Sequence, residues 1–500
     1  MSAVLAAALG GAGASASWAQ ERGSAAEPGN TAGEVPGDTI RLSIEEAVAR
    51  ATAQSQEVRL ARAQVEAAEA QVTSARSAAL PQISANLGYT RTFASPFDVG
   101  QGVQIPDSLQ FSPDPTLPLE ERVKYLEDRA PMAGLAGMAG LFSDLPFARR
   151  NTYTAGITGT QLLYSGGRVG AALRIAADYE DAARLNLEEQ IAEVELQVRT
   201  AYYQALLAKQ MEQIARAALE QAEAFLAEER LRRQAGQSSD LDVMRAEVAA
   251  ENLRPGLVQA QKSAELAELN LKRLLDLPLK QPLVLTTELV PPDPALVASP
   301  PVASAERLLS RRAAVEAARR QVSMREEQVK IAKGAFLPTV SLQMSYGRLL
   351  YPNRMFDFAG VEPRTDWTAT ISLQLPIFQG FKRTADIDLA QAELESAKLR
   401  LAQLEEQVEL QYQQALGDRE RAGAEITARQ RTVEQAERVY DLTRMRYERG
   451  LATQLEVSEA RLALLQARTN LAQALADFYI ADAGVIRALG GRAVVERNRN

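Results

Sequence analysis

The 500-residue chain contains no cysteine and no histidine. Those two absences exclude thiol and imidazole catalysis, disulfide cross-links, an acylated cysteine and nearly all zinc, copper or haem sites, leaving only carboxylate-type metal sites open. No constellation of nucleophile, base and orienting group supports an enzyme, and neither a metal nor a cofactor is expected. Excess positive charge is lacking too: 64 acidic side chains face 56 basic ones, for a net charge of −8 and a pI near 5.2. Nucleic acid is therefore not an expected partner, because phosphate binding depends on a basic surface. Past the N-terminus no run approaches the ~20 apolar residues that a membrane helix needs. A chain of this kind that spans a membrane must do so as strands.

Residues 1–19 combine an apolar Ala/Leu/Gly run with a small-x-small site at Ser17-Trp18-Ala19. This is the pattern of a secretory signal peptide cleaved before Gln20, although no Lys or Arg precedes Arg22; a disordered Ala/Gly tail is the alternative. Residues 20–42, rich in Gly, Pro, Ser, Ala and Glu, are expected to form a flexible lead-in.

What is present is a duplication. The stretch RMRYERGLATQLEVSEARLALL, Arg444 to Leu465, ends one long helical pattern at Gly450 and begins another at once. RLRRQAGQSSDLDVMRAEVAA, Arg230 to Ala250, aligns with it without gaps at an offset of 214, matching Gly236 to Gly450 and Asp242 to Glu456. The first structural repeat is read as 43–276 and the second as 305–490, separated by a Pro-rich connector over 277–304 that proline keeps from being helical, with a tail over 491–500.

Each repeat opens on a helix that stops at a Leu-Pro pair, Leu80-Pro81 and Leu337-Pro338. The first helix begins at a capping box, Ser43 with Glu46, and its pattern runs unbroken to Leu80. Beyond each proline the period changes to two. Strands are expected at about 82–91, 152–163, 338–347 and 366–377, the clearest setting Trp367, Ala369, Ile371, Leu373 and Leu375 against Thr368, Thr370, Ser372 and Gln374. Each has about the 9–11 residues of a tilted membrane strand. A half-buried strand of a soluble sheet would alternate in the same way. The uncharged Ser/Thr/Gln/Asn faces suit a wet pore wall, and Tyr89, Tyr153, Tyr346 and Trp367 would lie at one level as an aromatic girdle if each strand pair forms an antiparallel hairpin. The connection from Thr92 to Asn151 is long and carries an apolar tract, Pro131 to Phe142, whose Met132 and Met138 read as packing rather than as a soft-metal contact.

Long helices follow over 168–234 and 381–449, each ~100 Å at 1.5 Å per residue, with return helices over 241–275 and 455–489. Leu187, Ile191, Val194, Val198, Ala201 and Ala205 fall at steps of four and three, a coiled-coil seam. The second copy repeats it with Leu401, Leu404, Val408, Tyr412 and Ala415.

The order helix, strand, strand, long helix, Gly turn, helix, occurring twice, carries local signatures: LSIEEAVARA, AALPQISANLGY and AFLPTVSLQMSYG, LLYSGGR and LPIFQGFKR, and GLATQLEVSEAR. Together these resemble the TolC-like outer membrane efflux channels of Gram-negative bacteria. The resemblance implies a mixed α and β membrane protein, a homotrimer whose protomers give four strands each to one 12-stranded β-barrel continued by a periplasmic α-helical barrel. It implies a passive exit duct in outer-membrane lipid, with a periplasmic adaptor and an inner-membrane pump as partners. It also places the periplasmic aperture at the turns: Asp242, Tyr447, Glu456 and Glu459 would gate it, with Tyr447 in reach of Asp242. The tips Gly236, Gln237, Ser238, Ser239, Gly450, Leu451, Ala452 and Thr453 would receive the adaptor. Acids at these positions also favour the helix dipole, an alternative that coexists with gating. The basic residue that the family has just after the second Gly is absent, Ala452 standing there. The outer-membrane exit of a type I protein-secretion system shares this architecture, and a soluble coiled-coil scaffold is the reading from another class.

Overall fold

The computed structural model describes residues 39–93, 114–129, 151–298, 308–310, 312–352 and 354–491. The signal segment, the Pro131–Phe142 tract with Met132 and Met138, and the tail past residue 491 lie outside them. The elements in order are β1 (Ile40–Leu42), α1 (Ile44–Gln54), α2 (Gln56–Ser77), β2 (Gln82–Arg91), β3 (Asn151–Tyr164), α3 (Arg168–Gln234), α4 (Asp240–Leu274), β4 (Leu283–Leu285), α5 (Pro294–Ala298), α6 (Ala313–Gly334), β5 (Thr339–Leu350), β6 (Arg364–Gln374), α7 (Lys382–Glu448) and α8 (Gln454–Ala488). The fold is mixed α and β. It divides into two compact units, one built from the N-terminal residues through Arg50 with Ala201–Val290, the other from Ala51–Thr200 and Pro291 onward.

In the first unit, β1 and β4 pair in parallel, Ile40 opposite Leu283. Tyr202, fully buried, donates its hydroxyl to the Leu42 carbonyl at 2.9 Å and accepts from the Thr287 amide at 3.3 Å. This pairing corrects two expectations. The lead-in is ordered over Ile40–Leu42, and the proline-rich connector contains both the strand β4 and a short helix, α5. Three-residue strands carry too little periodicity to be seen in sequence, and Pro294 is the first residue of α5, where a missing N–H costs nothing.

In the second unit the four longer strands form one antiparallel sheet in the order β2-β3-β5-β6. Direct pairs such as Leu87 with Ala155, Ile157 with Tyr346 and Met344 with Ala369 place most apolar residues of the four strands on one face, Leu162 and Leu349 falling on the other. The other face carries Ser, Thr, Gln and Asn along most of its length, with Ser341 to Ser372 and Ser345 to Thr368 hydroxyl contacts of 2.7 Å. A bulge between Leu162 and Tyr164 adds one residue to β3 and returns Tyr164 to the apolar face opposite Val340.

The helical part of that unit is organised by α7 and α8. α7 runs 67 residues, about 100 Å at the usual rise. Leu464, Ala467, Ala474 and Phe478 are buried along α8, and Val408 and Tyr412 of α7 join Leu308, Val315, Val485, Ala488 and Leu489 in a core cluster, with Leu401, Leu404 and Ala415 packed against it. Arg419 is buried beside this seam, donating to Asp482 Oδ1 at 2.6 Å and to the Leu296 carbonyl at 2.5 Å, its guanidinium over the Phe478 ring.

The single helix expected from Ser43 to Leu80 is two helices. Ser55 takes an extended conformation, φ −58° and ψ 147°, and its side chain accepts from the Val58 amide as the N-cap of α2. The Ala/Val periodicity continues through the break, which hides it. Residues 119–129, inside the long β2–β3 connection, are helical.

Candidate functional site

The first turn joins α3 to α4. Gly236 adopts φ +74°, its amide donates to the Arg233 carbonyl at 2.9 Å and the Gln237 amide to the Arg232 carbonyl at 2.8 Å, a Schellman termination. Two residues later Ser239 caps α4. Its hydroxyl accepts from the Asp242 amide at 3.2 Å, and Asp242 Oδ2 accepts in return from the Ser239 amide at 3.3 Å and hydroxyl at 2.7 Å. Arg233 pairs with Asp240, and Arg245 lies 3.9 Å from Asp242. Ser238 donates its hydroxyl to Glu229 Oε2 at 2.7 Å, tying the tip back to the body of α3 at a fully buried carboxylate.

The second turn has the same backbone. Gly450 adopts φ +76°, its amide donates to the Tyr447 carbonyl at 2.9 Å and the Leu451 amide to the Arg446 carbonyl at 2.8 Å. Thr453 caps α8, its hydroxyl accepting from the Glu456 amide at 3.3 Å while Glu456 Oε2 accepts from the Thr453 amide at 2.7 Å and hydroxyl at 3.2 Å. That backbone amide, more than the hydroxyl or the charge on Arg446, holds the Glu456 carboxyl below its ordinary value of 4.5. Both glycines have open space where a Cβ would stand, so the requirement for glycine is conformational.

The turns differ in what braces them. The places of Glu229 and Ser238 are taken by Thr443 and Ala452, so the tie of the first tip has no counterpart in the second. There Arg446 instead donates to the Leu451 carbonyl at 3.3 Å. Glu459, exposed, stands where the first copy has Arg245.

At the far end of the sheet Tyr89 and Tyr153 are direct cross-strand partners with ring centroids 4.7 Å apart, and Tyr89 donates to Asn151 Oδ1 at 2.9 Å. Tyr346 and Trp367 are likewise paired. Tyr153 faces Leu350, however, and Tyr346 faces Ile157. The two aromatic pairs are thus stepped by four residues, about 13 Å along the strands, rather than forming one row across the sheet. Phe356 and Phe358 from the β5–β6 connection join the ring of Tyr153 at 6.2 and 5.0 Å.

The profile of the family described as "Outer membrane efflux protein" matches residues 136–276 and 305–491, well over half of the chain. The chain belongs to the outer membrane efflux protein family. Among its relatives is the pyoverdine export outer membrane protein OpmQ of Pseudomonas putida, 28% identical over 325 residues, which are 62% of this chain and 64% of that protein. The chain thus spans just under two thirds of that relative's length. Two solved structures share the fold: CusC, at 17% identity and a TM-score of 0.70 over 93% of this chain and 96% of the other, and the CmeC outer membrane channel of Campylobacter jejuni, at 17% and 0.71 over 91% and 88%.

Membership of this efflux family places the chain in the outer membrane. No described helix is long and apolar enough to cross one. Of the expected site residues of this efflux protein, Asp242 belongs to the first unit and Tyr447, Glu456 and Glu459 to the second. Glu456 and Glu459 share the exposed side of the first turns of α8. Asp242 and Glu456 are committed to capping boxes, a role that the Ser/Thr-x-x-Asp/Glu spacing at Ser239 and Thr453 announces. Glu229 belongs to no motif; the replacements of Glu229 by Thr443 and of Ser238 by Ala452 across the copies mark that tip as different.

Proposed function

We propose that this chain is the exit duct of a tripartite efflux assembly, passively conducting small molecules that an inner-membrane pump and a periplasmic adaptor deliver. The observation that carries this reading is the sheet. Its apolar face leaves Ile83, Leu87, Trp367, Ile371 and Leu373 exposed, its other face is lined along most of its length by uncharged polar residues with Asp366 and Arg364 at one end, and β2 and β6 each lack a second neighbour among the described strands. Four strands are too few to close a membrane barrel, whose smallest members have eight, so the free edges call for further copies. Three copies supply twelve strands, with apolar faces toward lipid and polar faces toward a water-filled lumen. The small-molecule cargo follows the relative's name, which specifies pyoverdine.

The hairpin tips support the rest. Leu241, Met244 and Val248 on α4, Leu451 in the second turn, and Leu455 and Leu462 on α8 are exposed apolar side chains that neighbouring copies or an adaptor hairpin would cover, the tips Gly236–Ser239 and Gly450–Thr453 being the docking points. Glu456 and Glu459, with Asp242 and Tyr447, form the aperture. In a trimer the two glutamates supply six carboxylates around one axis, which attract cations and repel anions. Glu456→Ser with Glu459→Ser should raise single-channel conductance in planar bilayers and weaken cation preference. Unchanged conductance and selectivity remove both residues from the aperture, and a protein that forms no channels at all sinks the duct itself.

A further inference from the structure

α4 and α8 are copies of one helix, and α4 departs from α8 in its interior. Pro255 and Gly256 stand where α8 has Thr469 and Asn470, and α4 continues through them as one helix. Pro255 has no N–H to give to the Glu251 carbonyl, and its ring crowds that carbonyl. Gly256 adds backbone freedom and has open space where a Cβ would stand. Both residues are exposed, so packing does little to make up for the missing bond.

Just before the proline, α4 is pinned to α3: Arg254 donates to Glu223 Oε1 at 2.8 Å, and the second hairpin keeps this pin as Arg468 to Glu437 Oε1 at 2.8 Å. Toward the tips the hairpins part. The first adds three links to α3, Arg230 to Glu247 at 3.2 Å, Arg233 with Asp240, and Ser238 to Glu229 at 2.7 Å. At the same positions the second copy has Arg444 and Arg461, Tyr447 and Gln454, and Thr443 and Ala452, none of them a carboxylate with a donor. The seam is lighter too, with Ala250 where α8 buries Leu464. Of the three links the two exposed ion pairs hold little. Ser238 is different, because Glu229 is fully buried and its other oxygen, Oε1, has no hydrogen-bond partner. A break point in the helix and the links that hold the helix beyond it thus occur in the same hairpin, and the other hairpin has neither.

We propose that Asp240–Arg254 is a hinged arm, pivoting at Pro255-Gly256 and latched to α3 by Ser238 on the buried Glu229 carboxylate. With the latch released the arm swings as one unit about the pin at Arg254, and its displacement is greatest at the tip. Asp242, Met244 and Val248 ride on it, so the position of the arm sets where that carboxylate and those exposed apolar side chains stand. The hinge is a property of this hairpin and does not depend on the duct reading.

The test is amide hydrogen exchange, read by mass spectrometry, of the full-length protein in detergent micelles as wild type, Ser238→Ala, Pro255→Ala and the double variant. In wild type, protection should step up across Pro255 in α4, with no step at Thr469 in α8. Ser238→Ala should accelerate exchange about 5- to 100-fold through the whole of Asp240–Arg254 and leave 257–274 unchanged. Restoring the amide with Pro255→Ala should confine that acceleration to the first turn of α4. Acceleration confined to the first turn with the proline in place, or running on to Leu274, overturns the hinge, as does an equal span with and without Pro255. No acceleration in Ser238→Ala overturns the latch. Pro255→Ala alone favours the helix and keeps the test decisive if Ser238→Ala fails to fold: the wild-type step should vanish, and a step that persists overturns the hinge.

Discussion

Replacing Gly450 with Ala adds one methyl group at a position where nothing lies within 4 Å of the new atom, so any cost is that of the backbone. At φ +76° that cost is about 1–2 kcal/mol for an L-residue. At 1.4 kcal/mol per decade this makes local opening of the turn about 5- to 30-fold more frequent. Amide hydrogen exchange read by mass spectrometry over the peptide containing Arg446 to Val457 should accelerate by that factor, most at Gly450 and Leu451, whose amides close the α7 terminus. Gly236→Ala should do the same at the first turn, because its geometry is the same. The internal control is Gly417→Ala in the middle of α7, exposed, equally free of neighbours and outside the left-handed region. There the identical substitution should stabilise by about 0.5–1 kcal/mol and slow exchange about two- to fivefold. Equal effects at 450 and 417, or no effect at 450, would refute the argument that the turn is held by its left-handed glycine.

Three further outcomes follow from the packing and the caps. Arg419→Met removes the partner of Asp482 and the donor to the Leu296 carbonyl, and should cost about 3–5 kcal/mol, seen as a lowered thermal midpoint by circular dichroism; adding Asp482→Asn should recover part of it. Ser238→Ala strips a hydrogen bond from the buried Glu229 and should cost about 1–3 kcal/mol, accelerating exchange around the first tip, whereas Ala452→Ser should change nothing, because Thr443 offers no carboxylate. Glu456 titrates below its ordinary 4.5, so its contribution to the second turn is complete above pH 4.5 and disappears as pH falls through the lowered value. The protection factors of the Thr453 and Glu456 amides, each measured against the intrinsic exchange rate at the same pH, should therefore fall on acidification in wild type and stay flat with pH in Glu456→Gln.

The legible parts of this molecule are those written in short windows. Period two over Trp367 to Leu375 and the four-three spacing of Val408, Tyr412 and Ala415 mark elements whose buried or apolar faces the structure displays. The two left-handed glycines are equally local, since the chain direction reverses at each within a few residues. Less legible were features that need a partner far away in sequence. Ile40–Leu42 becomes a strand only because Leu283–Leu285 lies beside it. The parting of α1 and α2 at Ser55 is local but is hidden by an unbroken helical pattern. In the site, Asp242 and Glu456 were visible as acids near a turn, and the three-residue spacing from Ser239 and Thr453 announced the capping boxes whose bonds the structure displays.

By itself the sequence determined the duplication, the exclusion of thiol and imidazole chemistry, the alternation of long helices with short strands, and the resemblance those features carry. Local periodicity and composition suffice for these, because each is a property of residues close along the chain. Only the tertiary structure decided the stepped register of the Tyr89/Tyr153 and Tyr346/Trp367 pairs and the burial of Glu229 under Ser238. Register and burial are set by which distant segments meet, and a single strand or helix fits several registers equally well until its neighbour selects one.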